Sequence, residues 1–366
     1  MIWNLPNSVL AILVIGILVA VCSWLASFLT RWLAARLQAV DEPKGGRKIH
    51  VKTTPLLGGW GIGFSLILFI VLGTWFGWFG VRDIRSTQLV GFVIGLFILM
   101  IGGFLDDRFD LSPRLQILFP ILAALSIVVS GTTIVQITSL SGGAISLLSR
   151  HWHLSLGAAE FTISFPSDFL TLIWLLAVTY ATKFFDGLDG LVSGQMVIGA
   201  GLIAALALTH TYFQPSVALL AVIVGAAFFG FLPANLHPAK QFLGESGSTI
   251  AGFSLGFLSI VAGTKVATAF MALGLPLCDA SLVAFGRLVR GVSPFRGDDT
   301  HLHFKLLKTG LSQKKVVLIF WIVALLFGSI ALGLQTRGKI LLIVALIGLT
   351  VLLSFFAGLM IRSRKV

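Results

Sequence analysis

The chain has 366 residues, 57% hydrophobic and only 11% charged, with a mean hydropathy of +1.01 and a formal net charge of +12. A water-soluble domain of this length is excluded, because it would need far more charged surface, and a β-barrel is excluded because the apolar runs are continuous rather than alternating. The positive charge does not call for nucleic acid, since basic loops facing anionic lipid account for it.

Apolar runs recur from end to end, long enough to cross a hydrocarbon core of about 30 Å with roughly 20 helical residues each. The expected fold is an all-α polytopic integral membrane protein with about eleven transmembrane helices. They fall at 6–30, 57–80, 88–105, 115–130, 168–182, 191–209, 216–232, 249–263, 266–285, 316–334 and 340–361. The first run is not read as a cleaved signal, because no basic segment precedes it and the first charged residue is Arg31. Cys22 and Cys278 lie inside apolar runs and read as small core residues, with no disulfide or zinc pattern. The whole of 1–366 reads as one membrane-embedded domain. Its site-bearing loops are 31–56, 106–114, 183–190, 233–248 and 286–315.

Lysine and arginine set the orientation. With the N-terminus outside and the C-terminus inside, 20 of the 26 fall in inside segments. Of the 14 acids, only Asp83, Glu160 and Asp168 fall outside. A bland membrane protein explains basic inner loops, but it does not explain acids gathered beside glycine on the same face.

Five constellations lie on that face. "RKIHVKTTPLLGGWG" places Lys48 and His50 before a Gly-Gly pair at a membrane entrance, as phosphate contacts or as a simple basic anchor. "GGFLDDRFDLSPR" ends the third span with adjacent Asp106 and Asp107 and closes on Arg114. Adjacent carboxylates repel, and a cation such as Mg²⁺ resolves the repulsion; a solvated helix terminus is the alternative. "TKFFDGLDGLVSG" carries Asp186 and Asp189, which share one face if the segment is helical. Lys183 lies one turn before Asp186, in reach of that carboxylate or of a bound phosphate. "NLHPAKQFLGESGS" sets Glu245 between Gly244 and Ser246, with backbone N–H groups suited to phosphate oxygens, while Asn235 and Pro233 break the seventh span. "SPFRGDDTHLHFK" puts His301 and His303 beside Arg296 and Lys305. Without cysteine or a third spaced histidine this is no zinc pattern, and a grip on phosphate is the better reading.

Carboxylates for a divalent metal, basic groups for phosphates and an all-apolar body describe phosphoryl transfer between a cytosolic donor and a membrane lipid. A transporter or flippase for a phosphorylated substrate is the alternative. It would need charges at the bilayer midplane and inverted repeats, and only Asp279 approaches the first requirement.

The ordered set of motifs resembles the polyprenyl-phosphate N-acetylhexosamine-1-phosphate transferases, from Arg47 to about Ser312. "FLPANLHPAKQFLGESGS" and "PLCDASLVAFGR" complete the set, and "DDRFDLSPR" and "HLH" are nearer the undecaprenyl-phosphate GlcNAc-1-phosphate branch than the related phospho-MurNAc-pentapeptide translocases. The resemblance implies that undecaprenyl phosphate attacks the β-phosphorus of a UDP-N-acetylhexosamine, giving undecaprenyl-pyrophosphoryl-HexNAc and UMP at the bacterial cytoplasmic membrane, with Mg²⁺ required and Mn²⁺ as a substitute. It leaves room for a homodimer. By motif, Asp186 and Glu245 would hold the metal, and Asp106 or the Asp106–Asp107 pair would receive or deprotonate the lipid phosphate. Asn235, Phe242 and Asp189 would form the uridine pocket, with Phe242 stacked on uracil, and His301 and His303 would contact the pyrophosphate. Arg114, Lys183, Arg296, Lys48 and His50 would add contacts to the anionic substrates. The family usually has Asn at the positions of Tyr180 and Lys183 and Asp at that of Glu245, and a further histidine where Phe304 stands.

Overall fold

Each apolar stretch expected to span coincides with a helix over most of its length in the computed structural model, which describes residues 9–43, 53–138, 144–156, 159–263, 273–292 and 300–363. Lys48, His50 and Arg296 lie outside the described residues. The helices are α1 (Val9–Leu37), α2 (Gly58–Trp75), α3 (Ser86–Phe109), the short α4 (Pro113–Gln116), α5 (Leu118–Val129), α6 (Ser167–Phe185) and α7 (Leu191–Ala207). They continue as α8 (Pro215–Asn235), α9 (Gly244–Val261), α10 (Gly274–Val289), the short α11 (Leu302–Lys308), α12 (Gln313–Gly333) and α13 (Thr336–Ser363). Among the described residues, seven are by themselves long and apolar enough to cross a bilayer: α1, α2, α3, α6, α8, α12 and α13. The chain is an all-α polytopic membrane protein.

The bundle is organised around α9, where Ser246 through Val261 are all buried. It packs against α2, α3, α6 and α7. Aromatic rings tie it to α3, with the Phe92 centroid 4.4 Å from that of Phe257 and 5.5 Å from that of Phe253, both stacked. Helix α13, by contrast, buries only Leu346, Thr350 and Ala357. Its outward leucines and phenylalanines, like those of α1, would face water in a soluble protein and face lipid here.

Two local features position the polar end. A Cβ on Gly103 would collide with the backbone N and Cα of Ser246, so only glycine lets α3 touch the start of α9. That contact sets the last turn of α3, with Asp106 and Asp107, beside Glu245. On the second side, the segment before α9 is bonded to the entry of α2: Phe242 N donates to Pro55 O at 2.9 Å, and Gly58 N and Gly59 N donate to Phe242 O and Leu243 O at 3.1 and 2.8 Å.

Three short antiparallel pairs complete the fold. Val40–Asp41 (β1) pairs with Thr54–Pro55 (β2). The long connection between α5 and α6 carries β3 (Gln136–Thr138) with β4 (Ala144–Ser146), and β5 (Leu148–Leu156) with β6 (Ala159–Pro166). Hydropathy had marked that connection only as a non-spanning stretch.

Candidate active site

The site is built around the turn Asp186–Gly190, between the C-terminus of α6 and the start of α7. The turn is not helical, so the expectation that Asp186 and Asp189 share a helix face is corrected. Helix α6 ends at Phe185, and Gly190 closes the turn at φ +79°, a left-handed conformation that glycine adopts without strain. The two carboxylates therefore serve different neighbours. Burial pushes the Asp186 carboxyl up to about 7, with the nearby carboxylates of Glu245 and Asp189 adding to it. Asp189 faces the loop after α8. Its Oδ2 accepts from His237 Nδ1 at 2.7 Å and from Ala239 N at 3.1 Å.

Asn235 holds that same loop to the turn. Its Oδ1 accepts from Gly190 N at 3.2 Å and from Ser193 Oγ, and its Nδ2 donates to Gln241 O at 3.1 Å. The side chain is buried, with both Oδ1 bonds and one Nδ2 bond going to the protein, so it sits behind the surface. Pro233 does not break α8 but lies within its last turn, and the helix ends at Asn235. Phe242 is half-buried beside this loop.

Lys183 lies at the acidic centre. Its Nζ is 2.6 Å from Glu245 Oε1, so its carboxylate partner is not Asp186, as the sequence spacing suggested, but a residue on another helix. The helix spacing put Lys183 and Asp186 one turn apart, but the turn carries Asp186 off the helix. A second bond runs from Lys183 Nζ to Gln116 Oε1 at 3.1 Å, and Gln116 Nε2 in turn donates to Asp106 Oδ1 at 2.6 Å. Asp106 Oδ1 also accepts from Leu111 N at 3.1 Å. Asp107 Oδ1 accepts from Glu245 N at 3.0 Å, while its buried Oδ2 has no hydrogen-bond partner. Asp106, Asp107, Gln116, Lys183 and Glu245 thus form one connected cluster at the meeting of α3, α4, α6 and α9. Arg114 is exposed on the short α4, two residues before Gln116.

The two histidines close the opposite side. His301 pairs through Nδ1 with Asp279 Oδ2 at 2.7 Å, and Leu302 N donates to Asp279 Oδ1 at 2.9 Å. His303 is fully buried behind it, with ring centroids 5.8 Å apart and stacked. Phe185 and Phe304 pack on its other sides at 5.6 and 4.2 Å, and neither ring nitrogen has a hydrogen-bond partner. Burial pushes its imidazole down to about 3, with His301 contributing, so it is neutral near pH 7. A phosphate contact expected of both histidines is therefore open to His301 alone in this geometry.

Hard oxygen donors for a divalent cation are present in Asp186, Glu245 and the unpartnered Asp107 Oδ2. Among the described residues no three His, Cys, Asp or Glu side chains form a ready metal cage. Mg²⁺ does not require one, since it is commonly held by one or two carboxylates together with substrate phosphates and water. The donor set fits that mode. Next to it lies a small pocket whose lining combines Leu99, Phe119 and Pro120 with Asp106, Gln116 and Glu245.

The model of glycosyl transferase family 4 matches residues 89–263, which include the α3 acids, the turn and Glu245. A probable undecaprenyl-phosphate N-acetylglucosaminyl 1-phosphate transferase of Bacillus subtilis is 30% identical over 83% of this chain and 79% of its own length. The chain belongs to this family. Further relatives are a decaprenyl-phosphate N-acetylglucosaminephosphotransferase of Mycobacterium tuberculosis, 29% identical over 86% of this chain and 81% of its own length, and an undecaprenyl-phosphate alpha-N-acetylglucosaminyl 1-phosphate transferase of Escherichia coli, 27% identical over 83% and 78%. In this family member, sequence reasoning missed three residues of the site, of which only Gln116 belongs to the cluster. Gln116 and His237 carry no charge signal of their own, and Asp279 was seen only as an acid at the inner end of a span.

Proposed function

We propose that this protein transfers N-acetylglucosamine-1-phosphate from UDP-N-acetylglucosamine to undecaprenyl phosphate at the cytoplasmic face of a bacterial membrane. A phosphate oxygen of the lipid forms a bond to the β-phosphorus of the donor. The bond from that phosphorus to the bridging oxygen breaks, and UMP leaves with the electron pair. The observation that carries the reading is the run of contacts from Asp106 through Gln116 and Lys183 to Glu245 at one end of an otherwise apolar bundle, beside a small pocket lined by apolar and polar side chains. A polar cluster at the end of apolar helices suits a prenyl phosphate, whose tail belongs in lipid and whose head is an anion. The names of the relatives, which specify undecaprenyl or decaprenyl phosphate and N-acetylglucosamine phosphate, support the same chemistry.

Two anionic substrates repel one another, and the site's task is to lower that repulsion. Asp186 is the carboxylate offered to Mg²⁺; Glu245, the second one the sequence supplies, is engaged by Lys183. Mg²⁺ would neutralise charge on the pyrophosphate oxygens. Asp106, held by Gln116, receives the lipid phosphate. His301, oriented by Asp279, presents its other ring nitrogen to the donor's phosphates. Asp189 and Phe242 border the side on which uridine would lie, and Asn235 fixes the loop that carries them.

Purified protein given undecaprenyl phosphate and either UDP-GlcNAc or UDP-GalNAc tests the reading. Release of UMP with UDP-GlcNAc, abolished by EDTA and restored by Mg²⁺, is expected. Release of UDP in place of UMP, or full activity in EDTA, would contradict it.

A further inference from the structure

We propose that Lys183 is a fixed cation of the site, that Glu245 is its anchor rather than a metal ligand, and that the metal is left to Asp186. The inference rests on the transferase reading for the identity of the substrates, but not for its geometry. Glu245 Oε1 lies 2.6 Å from the ammonium, and both side chains are largely shielded, at 17% and 15% exposure. A divalent ion bound at that oxygen would sit against the ammonium, like charge on like, in surroundings that screen little. Nor is Lys183 free to swing away at no cost. Gln116 Oε1 accepts from it at 3.1 Å, and the Gln116 amide is itself fixed, its Nε2 donating to Asp106 Oδ1 at 2.6 Å and to Leu111 O at 3.1 Å. The ring of Tyr180, 5.6 Å from Nζ, adds a cation–π contact on another side.

The consequences follow from donor counting. An ammonium has three N–H donors and no acceptor. Two are spent on Glu245 and Gln116, and the third is available to an anion. The same arrangement ties Lys183 to Asp106 through Gln116, so the cation and the acid proposed to receive the lipid phosphate are held in fixed relation. The chemistry recognised is a phosphate oxygen, belonging either to the donor's pyrophosphate or to the prenyl phosphate. Lys183 would then carry part of the charge neutralisation on the chain itself. Gln116 is a positioning residue that acts through Lys183.

A metal-binding cycle on the purified full-length protein tests this independently of turnover. Mn²⁺ binding is followed by electron paramagnetic resonance for the wild type, Glu245→Gln, Lys183→Met, the double variant and Asp186→Asn. Removing the lysine should tighten Mn²⁺ binding by about tenfold, the size of one charge-assisted interaction, and the gain should vanish in the double variant, where Glu245 is no longer there to be released. Asp186→Asn should abolish binding. Lys183→Gln replaces Lys183→Met if the latter does not purify, with the same expectation. Loss of Mn²⁺ binding in Glu245→Gln with Lys183 intact, or weaker binding in Lys183→Met, would overturn the proposal. In a second arm, EDTA-treated protein is titrated with UDP-GlcNAc and with farnesyl phosphate. Lys183→Met should weaken one of the two by about tenfold, which identifies the phosphate concerned, and an unchanged affinity for both would also overturn it. A wild-type protein that binds Mn²⁺ but transfers no sugar phosphate would instead contradict the transferase reading, leaving the metal cycle to judge Lys183.

Discussion

His301 donates its Nδ1 proton to Asp279 Oδ2 at 2.7 Å, joining the loop before α11 to the buried face of α10. A carboxylate at Nδ1 fixes the ring's orientation and leaves Nε2 for a phosphate oxygen, to which it donates when it carries a proton. Asp279→Asn should keep the packing and lose the orientation. The expected result is a fall in kcat of at least about tenfold with KM for UDP-GlcNAc changed far less, within the range of positioned acid–base or phosphate-contact groups. Asp279→Asn combined with His301→Gln should be no worse than His301→Gln alone. Additive losses in this double-mutant cycle would show that the two residues act separately.

His303 makes stability depend on pH. Its folded-state pKa lies at about 3, below the ordinary value of 6.5 for histidine. The unfolded chain therefore binds the proton first, and stability is complete above about pH 6.5 and falls as pH drops toward 3. The slope is about 1.4 kcal/mol per pH unit. Thermal unfolding in detergent should show the wild type losing stability faster than His303→Phe between pH 6 and 4. Parallel curves would mean that the imidazole is solvated.

Gly103 fixes the distance between α3 and α9. Gly103→Val should force the backbones apart and destabilise the protein by about 1–3 kcal/mol, the usual cost of overpacking. Because Asp107 Oδ1 accepts from Glu245 N across that contact, activity should fall further than stability alone explains. A variant with wild-type melting temperature and wild-type rate would place the close approach elsewhere.

Orientation is open to fusion reporters. The excess of basic residues in alternate loops predicts that a reporter after Gly143 is outside and one after Val366 is inside. Both on the same side would give the wrong parity of spans.

Much of the fold was legible because the bilayer requires long apolar helices, and runs such as 216–232 and 316–334 have no other use. Asp186 and the pair Asp106–Asp107 stood out because charge beside hydrocarbon needs a reason, although the turn that carries Asp186 did not. Partnerships across the bundle were not. Lys183 was placed in reach of Asp186 or of a bound phosphate, yet it is bonded to Glu245 and to Gln116, 67 positions away. Asp189 and His237 meet across 48 positions. His303 was read together with His301 as a grip on phosphate, but helix α11 starts between them and the His303 ring is buried. The β5–β6 hairpin escaped because hydropathy averaged over a span-length window erases a two-residue alternation.

The most direct test of the account is the fate of the donor's β-phosphate. UDP-GlcNAc labelled with ³²P at that position is incubated with undecaprenyl phosphate, Mg²⁺ and the purified protein, and the organic and aqueous phases are separated. The account predicts the label in the lipid phase and unlabelled UMP in the aqueous phase. Label remaining in released UDP, with sugar alone on the lipid, would contradict it.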